Sequence, residues 1–118
     1  MMDENCIFCK IANKQIPSTI VYEDEWVCAF KDLNPVAPVH VLVIPKVHIQ
    51  DLEHVNDENS EYVKKVQEAF KKVSKIMGID KSGYRVICNC GEDGGQEVKH
   101  LHYHLIGGEK LPTKIVHD

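Results

Sequence analysis

The chain has 118 residues, of which 43% are hydrophobic and 27% charged, as in one globular domain and unlike a disordered or fibrous chain. With 14 Lys and Arg against 18 Asp and Glu the net charge is −4, so no nucleic-acid partner is expected. No apolar run approaches the roughly 20 residues of a membrane helix, and the acidic residues 1–5 are followed by no signal-peptide core. We expect a cytoplasmic protein without a membrane partner.

The first half of the chain predicts a short helix and three strands, within a single domain over residues 5–114. The helix covers Ile7–Gln15 and is stopped by Pro17. Asp24-Glu25 predicts a hairpin turn, and Asn34-Pro35 predicts an irregular loop before the third strand. The three runs rich in β-branched and aromatic residues are Thr19–Glu23, Val27–Asp32 and Val39–Ile44.

The second half predicts one long helix and two further strands. Apolar residues recur every three and four positions over Glu58–Met77, with Asp57 as N-cap and Gly78 as a left-handed terminator. A glycine-rich loop, 91–96, joins strands over Tyr84–Cys90 and His100–Ile106. Five strands with a single long helix predict an α+β fold with a mainly antiparallel sheet, because a doubly wound sheet needs more crossovers.

The run from His100 to Leu105 alternates histidine with apolar residues. In a strand this period places His100, His102 and His104 on one face. Crowding disfavours protonation, and neutral imidazole serves as a nucleophile, a general base or a metal ligand. The pattern also fits a surface strand that happens to carry histidines.

Cys6 and Cys9 would supply two of the four ligands of a tetrahedral zinc site. In a reducing compartment a Cys-x-x-Cys pair indicates metal or redox chemistry more than a structural disulfide. His48 and one histidine of the alternating run are the available partners for a Cys2His2 site. His54 and His117 lie in polar contexts and are assigned to solvent. A pair of free thiols remains the alternative.

Several motifs in this order resemble the histidine triad (HIT) superfamily, and most closely its short Hint branch of nucleoside phosphoramidate hydrolases. They extend over nearly the whole chain, and the most specific is His-x-His-x-His after Gly-Gly-Gln. The motifs are Phe8-x-Lys10-Ile11, Ile16-Pro17, Ala29-Phe30-x-Asp32, Pro38-x-His40-x-Leu42-Val43-Ile44-Pro45-Lys46, Gly94-Gly95-Gln96, His100-x-His102-x-His104 and Gly107-Gly108.

The resemblance implies a covalent hydrolysis of purine nucleoside 5′-phosphoramidates. His102 would attack the α-phosphorus, expel the amine and form a nucleotidyl-histidine that water hydrolyses. A backbone carbonyl should hold its other ring nitrogen. The remaining members of the implied catalytic set, placed around the phosphate and the leaving group, are His104, His40, His100 and Gln96.

The resemblance also implies a nucleoside pocket. Asp32 would accept from both ribose hydroxyls, and Asn89 and Gly95 would lie near the phosphate. Many Hint-like proteins have a hydroxyl residue after Gly-Gly-Gln, whereas Glu97 stands here; if ionised, it would attract a cationic amine. The residues implied to enclose the base are Phe8, Ile11, Phe30 and Leu33.

Two assemblies are implied as well. One is a homodimer in which two five-stranded sheets join into ten strands. The other is a structural zinc site, as in the zinc-bearing branches of the superfamily, which catalysis does not require. Its implied ligands are Cys6, Cys9, His48 and His100.

Two other functions compete with the phosphoramidase. The first is a nucleotide-binding regulatory protein with vestigial hydrolysis, which trapping of a nucleotidyl-histidine would distinguish. The second is a dinucleoside polyphosphate hydrolase of the Fhit-like branch, which the short C-terminus and Gly107-Gly108 disfavour.

Overall fold

The computed structural model describes residues 3–116 as a five-stranded antiparallel sheet with a helix on each face. The sheet order is β1-β2-β3-β5-β4, so the last strand of the chain lies between β3 and β4. The predicted α+β class and antiparallel sheet are confirmed. The elements are α1 Ile7–Ala12, β1 Ile20–Glu23, β2 Val27–Lys31, β3 Val39–Pro45, a 3-10 turn Leu52–His54, α2 Ser60–Ile76, β4 Tyr84–Ile87 and β5 Tyr103–Gly107.

The strand β3 lies at the centre of the molecule and is buried along its whole length. One face of it packs with α2, whose buried residues are Val66, Ala69, Val73 and Ser74. The other face, with Leu42 and Ile44, packs with α1. Because successive side chains point to opposite faces, one strand contributes to two separate apolar layers. The layer under α1 holds the candidate site.

The ends of the helices differ from the sequence prediction. The first helix ends at Ala12 rather than Gln15, because Lys14 has a φ of 62° and the side-chain amide of Asn13 donates to the Cys9 carbonyl at 2.8 Å. Asp57 is not the N-cap of α2, which begins at Ser60 after Asn59. Gly78, with a φ of 74°, does follow the helix as its predicted left-handed terminator.

Several strands also differ at their ends. β1 begins at Ile20, β2 ends at Lys31, β3 continues to Pro45, and β4 ends at Ile87 instead of Cys90. β5 begins only at Tyr103 and ends at Gly107, so the predicted strand over His100–Ile106 is wrong in its first three residues. Among residues 3–116 no helix is both long and apolar enough to cross a bilayer.

Candidate functional site

Although only His104 belongs to β5, the extended chain before this strand keeps the predicted alternation. Leu101, Tyr103 and Leu105 belong to the apolar layer under α2. The rings of His100 and His102 lie on the side of α1, where both contact Phe8, with ring centroids 6.0 and 5.0 Å from it. The three histidines therefore share one side of the chain without sharing a strand.

The metal cluster consists of four side chains from three separate segments: Cys6, Cys9, His48 and His100. Their ligand atoms all lie within 4.8 Å of one another. Nδ1 of His100 is 3.2 Å from Sγ of Cys6 and 3.5 Å from Sγ of Cys9, and Nδ1 of His48 is 3.4 Å from Sγ of Cys9. Tetrahedral zinc with bonds of about 2.0–2.3 Å separates its ligands by roughly 3.3–3.8 Å. These side chains therefore fit a zinc ion.

The proton positions in the metal cluster also suit a cation. Nε2 of His100 donates to the carbonyl of Pro45 at 3.0 Å, which leaves the lone pair of Nδ1 directed at the two sulfurs. Burial lowers the pKa of His100 to about 4, so this ring is neutral at pH 7. Burial raises the pKa of the Cys9 thiol to about 11 in the metal-free chain, so zinc binding would release its proton. Asp3 lies 3.8 Å from Nε2 of His48 and can orient that ring.

His102 has its ring fixed by the backbone next to the metal cluster. Its Nδ1 donates to the carbonyl of His100 at 2.7 Å, the contact that we predicted. Nε2 then carries a lone pair, and no hydrogen bond to it occurs within residues 3–116. Burial is the main cause that lowers the pKa of His102. A neutral imidazole with a free, oriented nitrogen is the form in which histidine acts as a nucleophile.

The relay cluster consists of Asp32, His40 and His104. The backbone N–H of Val36 donates to Nδ1 of His40 at 3.2 Å, so neutral His40 carries its proton on Nε2. That nitrogen is 2.9 Å from Nδ1 of His104, to which it donates, and 3.5 Å from a carboxylate oxygen of Asp32.

The order of the relay fixes the tautomer of its last member. Because Nδ1 of His104 accepts from His40, the proton of neutral His104 lies on Nε2. Burial and the neighbouring histidines lower the pKa of His104 to about 4. Its ring centroid is 5.2 Å from that of His102. A ring with a free lone pair and a ring with an N–H on Nε2 thus lie next to each other.

A cavity of about 240 Å³ opens between α1 and the end of β2 with its following loop, and Phe8, which contacts His102, forms part of its wall. Asp32 lines it, and its Oδ1 accepts from the backbone N–H of Asn34 at 2.7 Å. Leu33 is 92% exposed and stands at the rim. All four residues predicted to enclose a base line this cavity: Phe8, Ile11, Phe30 and Leu33.

The loop after β4 is built by its glycines and by the side chain of Gln96. A Cβ at Gly94 would lie 2.3 Å from the carbonyl oxygen of Cys90, so only glycine fits there. Gln96 donates to the carbonyls of Gln50 at 2.8 Å and Val98 at 3.0 Å, and its oxygen accepts from the N–H of Gly91. The amide of Gln96 is thus occupied within the protein.

Asn89 and Gly95 lie in the same loop. The side chain of Asn89 donates to the carbonyl of Gly94 at 2.7 Å, and Gly95 has a φ of 79°. Glu97 is exposed and lines a second cavity of about 400 Å³ together with Asp3 and Lys99. These three predicted residues therefore lie around the loop, and Glu97 is not among the residues that line the cavity beside α1.

Two other predictions on histidines have different outcomes. The side chain of His54 is 57% exposed, as expected, whereas His117 lies outside the described residues. His100, which we placed in both the catalytic and the metal set, is fully buried with both ring nitrogens directed at Pro45 and the cysteines. Its side chain belongs to the metal cluster.

The sequence reasoning missed three groups that orient the site: the carbonyl of Pro45, the N–H of Val36 and the carboxylate of Asp3. Main-chain atoms carry no residue-type signal, so the first two could not have been found from the pattern. Asp3 lies three residues before Cys6, and this spacing alone is too common to identify it.

Comparison with known proteins gives consistent matches. The HIT domain family model matches residues 13–111. The purine nucleoside phosphoramidase of Escherichia coli (strain K12) is 41% identical over 116 residues, which cover 98% of each chain. A 14 kDa zinc-binding protein of Zea mays is 45% identical over 111 residues, covering 92% of this chain and 86% of that protein.

A solved structure has the same fold over nearly its full length. The histidine triad protein of Clostridium difficile superposes with a TM-score of 0.93 at 55% identity, covering 98% of this chain and 100% of that one. The HIT family hydrolase of Clostridium thermocellum gives a TM-score of 0.94 at 51% identity, with the same coverage.

Proposed function

We propose that this chain, which belongs to the HIT domain family, hydrolyses purine nucleoside 5′-phosphoramidates through a covalent intermediate on His102. The observation that carries the proposal is the contact of 2.7 Å from Nδ1 of His102 to the His100 carbonyl, which leaves Nε2 free on a ring that contacts Phe8, part of the wall of the cavity. The phosphoramidase of E. coli, 41% identical over 98% of both chains, supports the reaction class.

The reaction would proceed in two displacements. Nε2 of His102 attacks the α-phosphorus, the P–N bond to the amine breaks, and the amine leaves with a proton taken from solvent. Water then attacks the same phosphorus and gives up a proton to solvent, the P–N bond to the imidazole breaks, and the nucleoside monophosphate is released. The N–H on Nε2 of His104 is suited to hydrogen-bond the phosphate oxygens or the departing amine, and His40 holds that tautomer.

The binding roles divide between two sides of the reaction centre. Asp32 would accept from the ribose hydroxyls, with the base against the wall that Phe8 and Phe30 form in the cavity. The amide of Gln96 is already hydrogen-bonded to three backbone groups. We therefore assign Gln96 to the stability of the loop that carries Asn89 and Gly95 instead of to the phosphate.

We further propose that the metal cluster holds one structural zinc ion in the protein, with catalysis carried by the histidines. All four ligands come from this chain, so none is left for water. All five cysteines are free, which fits the cytoplasm we propose for this single domain of residues 5–114.

The homodimer remains part of the proposal. β4 is an edge strand whose Tyr84, Val86 and Ile87 are each between 37% and 39% exposed. An edge of this kind is suited to pair with a second copy. Light scattering should give the mass of two chains, and Val86→Lys should shift it to one.

The test of the reaction is a substrate panel with trapping of the intermediate. Adenosine 5′-phosphoramidate and diadenosine polyphosphates are compared with wild type, His102→Ala and His54→Ala, a control histidine outside the site. We expect preferred cleavage of the phosphoramidate and, after acid-free quenching, a nucleotidylated peptide containing His102. Preferred cleavage of the polyphosphates, or turnover without a labelled histidine, would contradict the proposal.

A further inference from the structure

We propose that the metal cluster is a positioning device for the reaction centre, so that zinc loading sets both the tautomer of His102 and the shape of the base cavity. This inference rests on the proposed function and goes beyond a zinc ion that only stabilises the fold.

The first link is His100, which belongs to both sites through different atoms. Its ring contributes Nδ1 to the metal cluster, and its main-chain carbonyl accepts the proton of His102 at 2.7 Å. A ring held by Nδ1 in the metal cluster and by Nε2 at the Pro45 carbonyl restrains the backbone of its own residue, which carries that carbonyl. The anchored His100 would therefore help to keep the carbonyl in the position that selects the free nitrogen of His102.

The second link is Phe8, which lies between Cys6 and Cys9 in the sequence. Cys6 is the N-cap of the short helix α1, and Phe8 and Cys9 belong to the helix. The ring of Phe8 is 5.0 Å from that of His102 and 5.5 Å from that of Phe30, and it lines the nucleoside cavity. Cys6 and Cys9 thus bracket the residue that touches both the nucleophile and the base site.

The third point is that α1 has little stability of its own. A helix of six residues is far shorter than the ~12–15 residues at which isolated helices become even marginal. Its other attachments are apolar contacts of Phe8, Ile11 and Ala12 with the sheet. Two thiolates bound to the same ion as His48 and His100 would fix α1 in rotation and in distance from the chain before β5.

The best test residue is His48, since it contributes to the metal cluster and is no part of the reaction centre. His48→Ala removes one ligand, whereas His48→Cys gives a Cys3His set that also binds zinc. Val66→Ala is the stability control, because Val66 belongs to α2 and is buried against the opposite face of the sheet.

We expect His48→Ala to lose its zinc, to reduce kcat by about 10–100-fold and to raise the Kd for AMP. ¹⁵N NMR of the ring should show His102 with its proton on Nδ1 in wild type and an average of both tautomers in His48→Ala. His48→Cys should restore zinc, kcat and tautomer together, and Val66→Ala should lower the Tm with all three unchanged. Zinc removal from wild type by a chelator should reproduce the His48→Ala result without a mutation.

The proposal is overturned if zinc-free protein keeps the wild-type tautomer and AMP affinity, or if the purified chain binds no zinc. It is also overturned if zinc removal unfolds α2 together with α1, because the ion would then hold the fold as a whole. Zinc content, AMP affinity and the tautomer can all be measured without turnover. If the phosphoramidate is not cleaved, the proposed reaction fails while this test still gives its answer.

Discussion

The metal cluster and the relay cluster contain similar side chains, yet their hydrogen bonds run in opposite directions. In the metal cluster a backbone acceptor, the carbonyl of Pro45, accepts a hydrogen bond from Nε2 of His100, which turns the lone pair of Nδ1 inward. In the relay cluster a backbone donor, the N–H of Val36, occupies the lone pair of His40 and turns a proton inward.

The difference shows that residue type alone does not define a metal site. The ligand-type atoms of Asp32, His40 and His104 also lie within 4.8 Å of one another. A cation there would have to displace the proton on Nε2 of His40, and the ring could not move that proton to Nδ1 without losing the Val36 contact. One cluster is therefore suited to hold zinc and the other to transmit hydrogen bonds.

The largest expected effect comes from removing His102, which belongs to neither the metal cluster nor the relay cluster. His102→Ala should lower the turnover of adenosine 5′-phosphoramidate by several orders of magnitude, because the covalent route is lost. Binding of AMP and the zinc content should change little in His102→Ala, and the same is expected of His102→Gly. Steady-state kinetics and calorimetric titration with AMP check this, and near-wild-type turnover would show that His102 is not the nucleophile.

The second prediction breaks the metal cluster alone. Cys6→Ser combined with Cys9→Ser should reduce the zinc content from about one ion per chain to none. The Tm should fall by about 10 °C, which for a domain of this size is roughly 2–3 kcal/mol. Elemental analysis and thermal unfolding measure the two effects. Wild type should bind no second equivalent of zinc tightly, and a second ion lost in His40→Ala would contradict the comparison above.

The third prediction concerns the acidic member of the relay cluster. Asp32→Asn should raise KM by about 10–100-fold, since charge-assisted hydrogen bonds to the ribose are worth on the order of 1.5–3 kcal/mol. The preference for ribonucleotide over 2′-deoxyribonucleotide substrates should shrink in the same variant. Competition between the two substrates measures the ratio, and an unchanged ratio would remove Asp32 from ribose recognition.

The smallest effect is a pH dependence of stability. The pKa of His104 is lowered to about 4 in the folded chain, whereas an unfolded histidine titrates near 6.5. Between these values the unfolded state binds the extra proton, so the free energy of unfolding decreases as the pH falls from about 6.5 towards 4. His104→Gln should lose less stability than wild type between pH 7.5 and 5 in urea titrations; equal losses would contradict it.

The sequence was sufficient for the class of fold and for the candidates in each cluster. Helical spacing identified α2, the turn residues Asp24-Glu25 identified the first hairpin, and the period of two placed the histidines on one side of the chain. The bounds of β4 and β5 could not be predicted, because pairing with a neighbour decides where a strand ends, and β5 pairs with β3 only from Tyr103 onward.

What the sequence by itself determined is the local pattern: which residues alternate, which helix is amphipathic, and that two cysteines lie three positions apart. Only the tertiary structure decided that His100 joins those cysteines while His102 bonds to the His100 carbonyl and His104 to His40. The physical reason is that the function of an imidazole depends on which nitrogen carries the proton. Backbone atoms make that choice: the carbonyl of Pro45, distant along the chain, for His100, and the N–H of Val36, in the loop before β3, for the pair of His40 and His104.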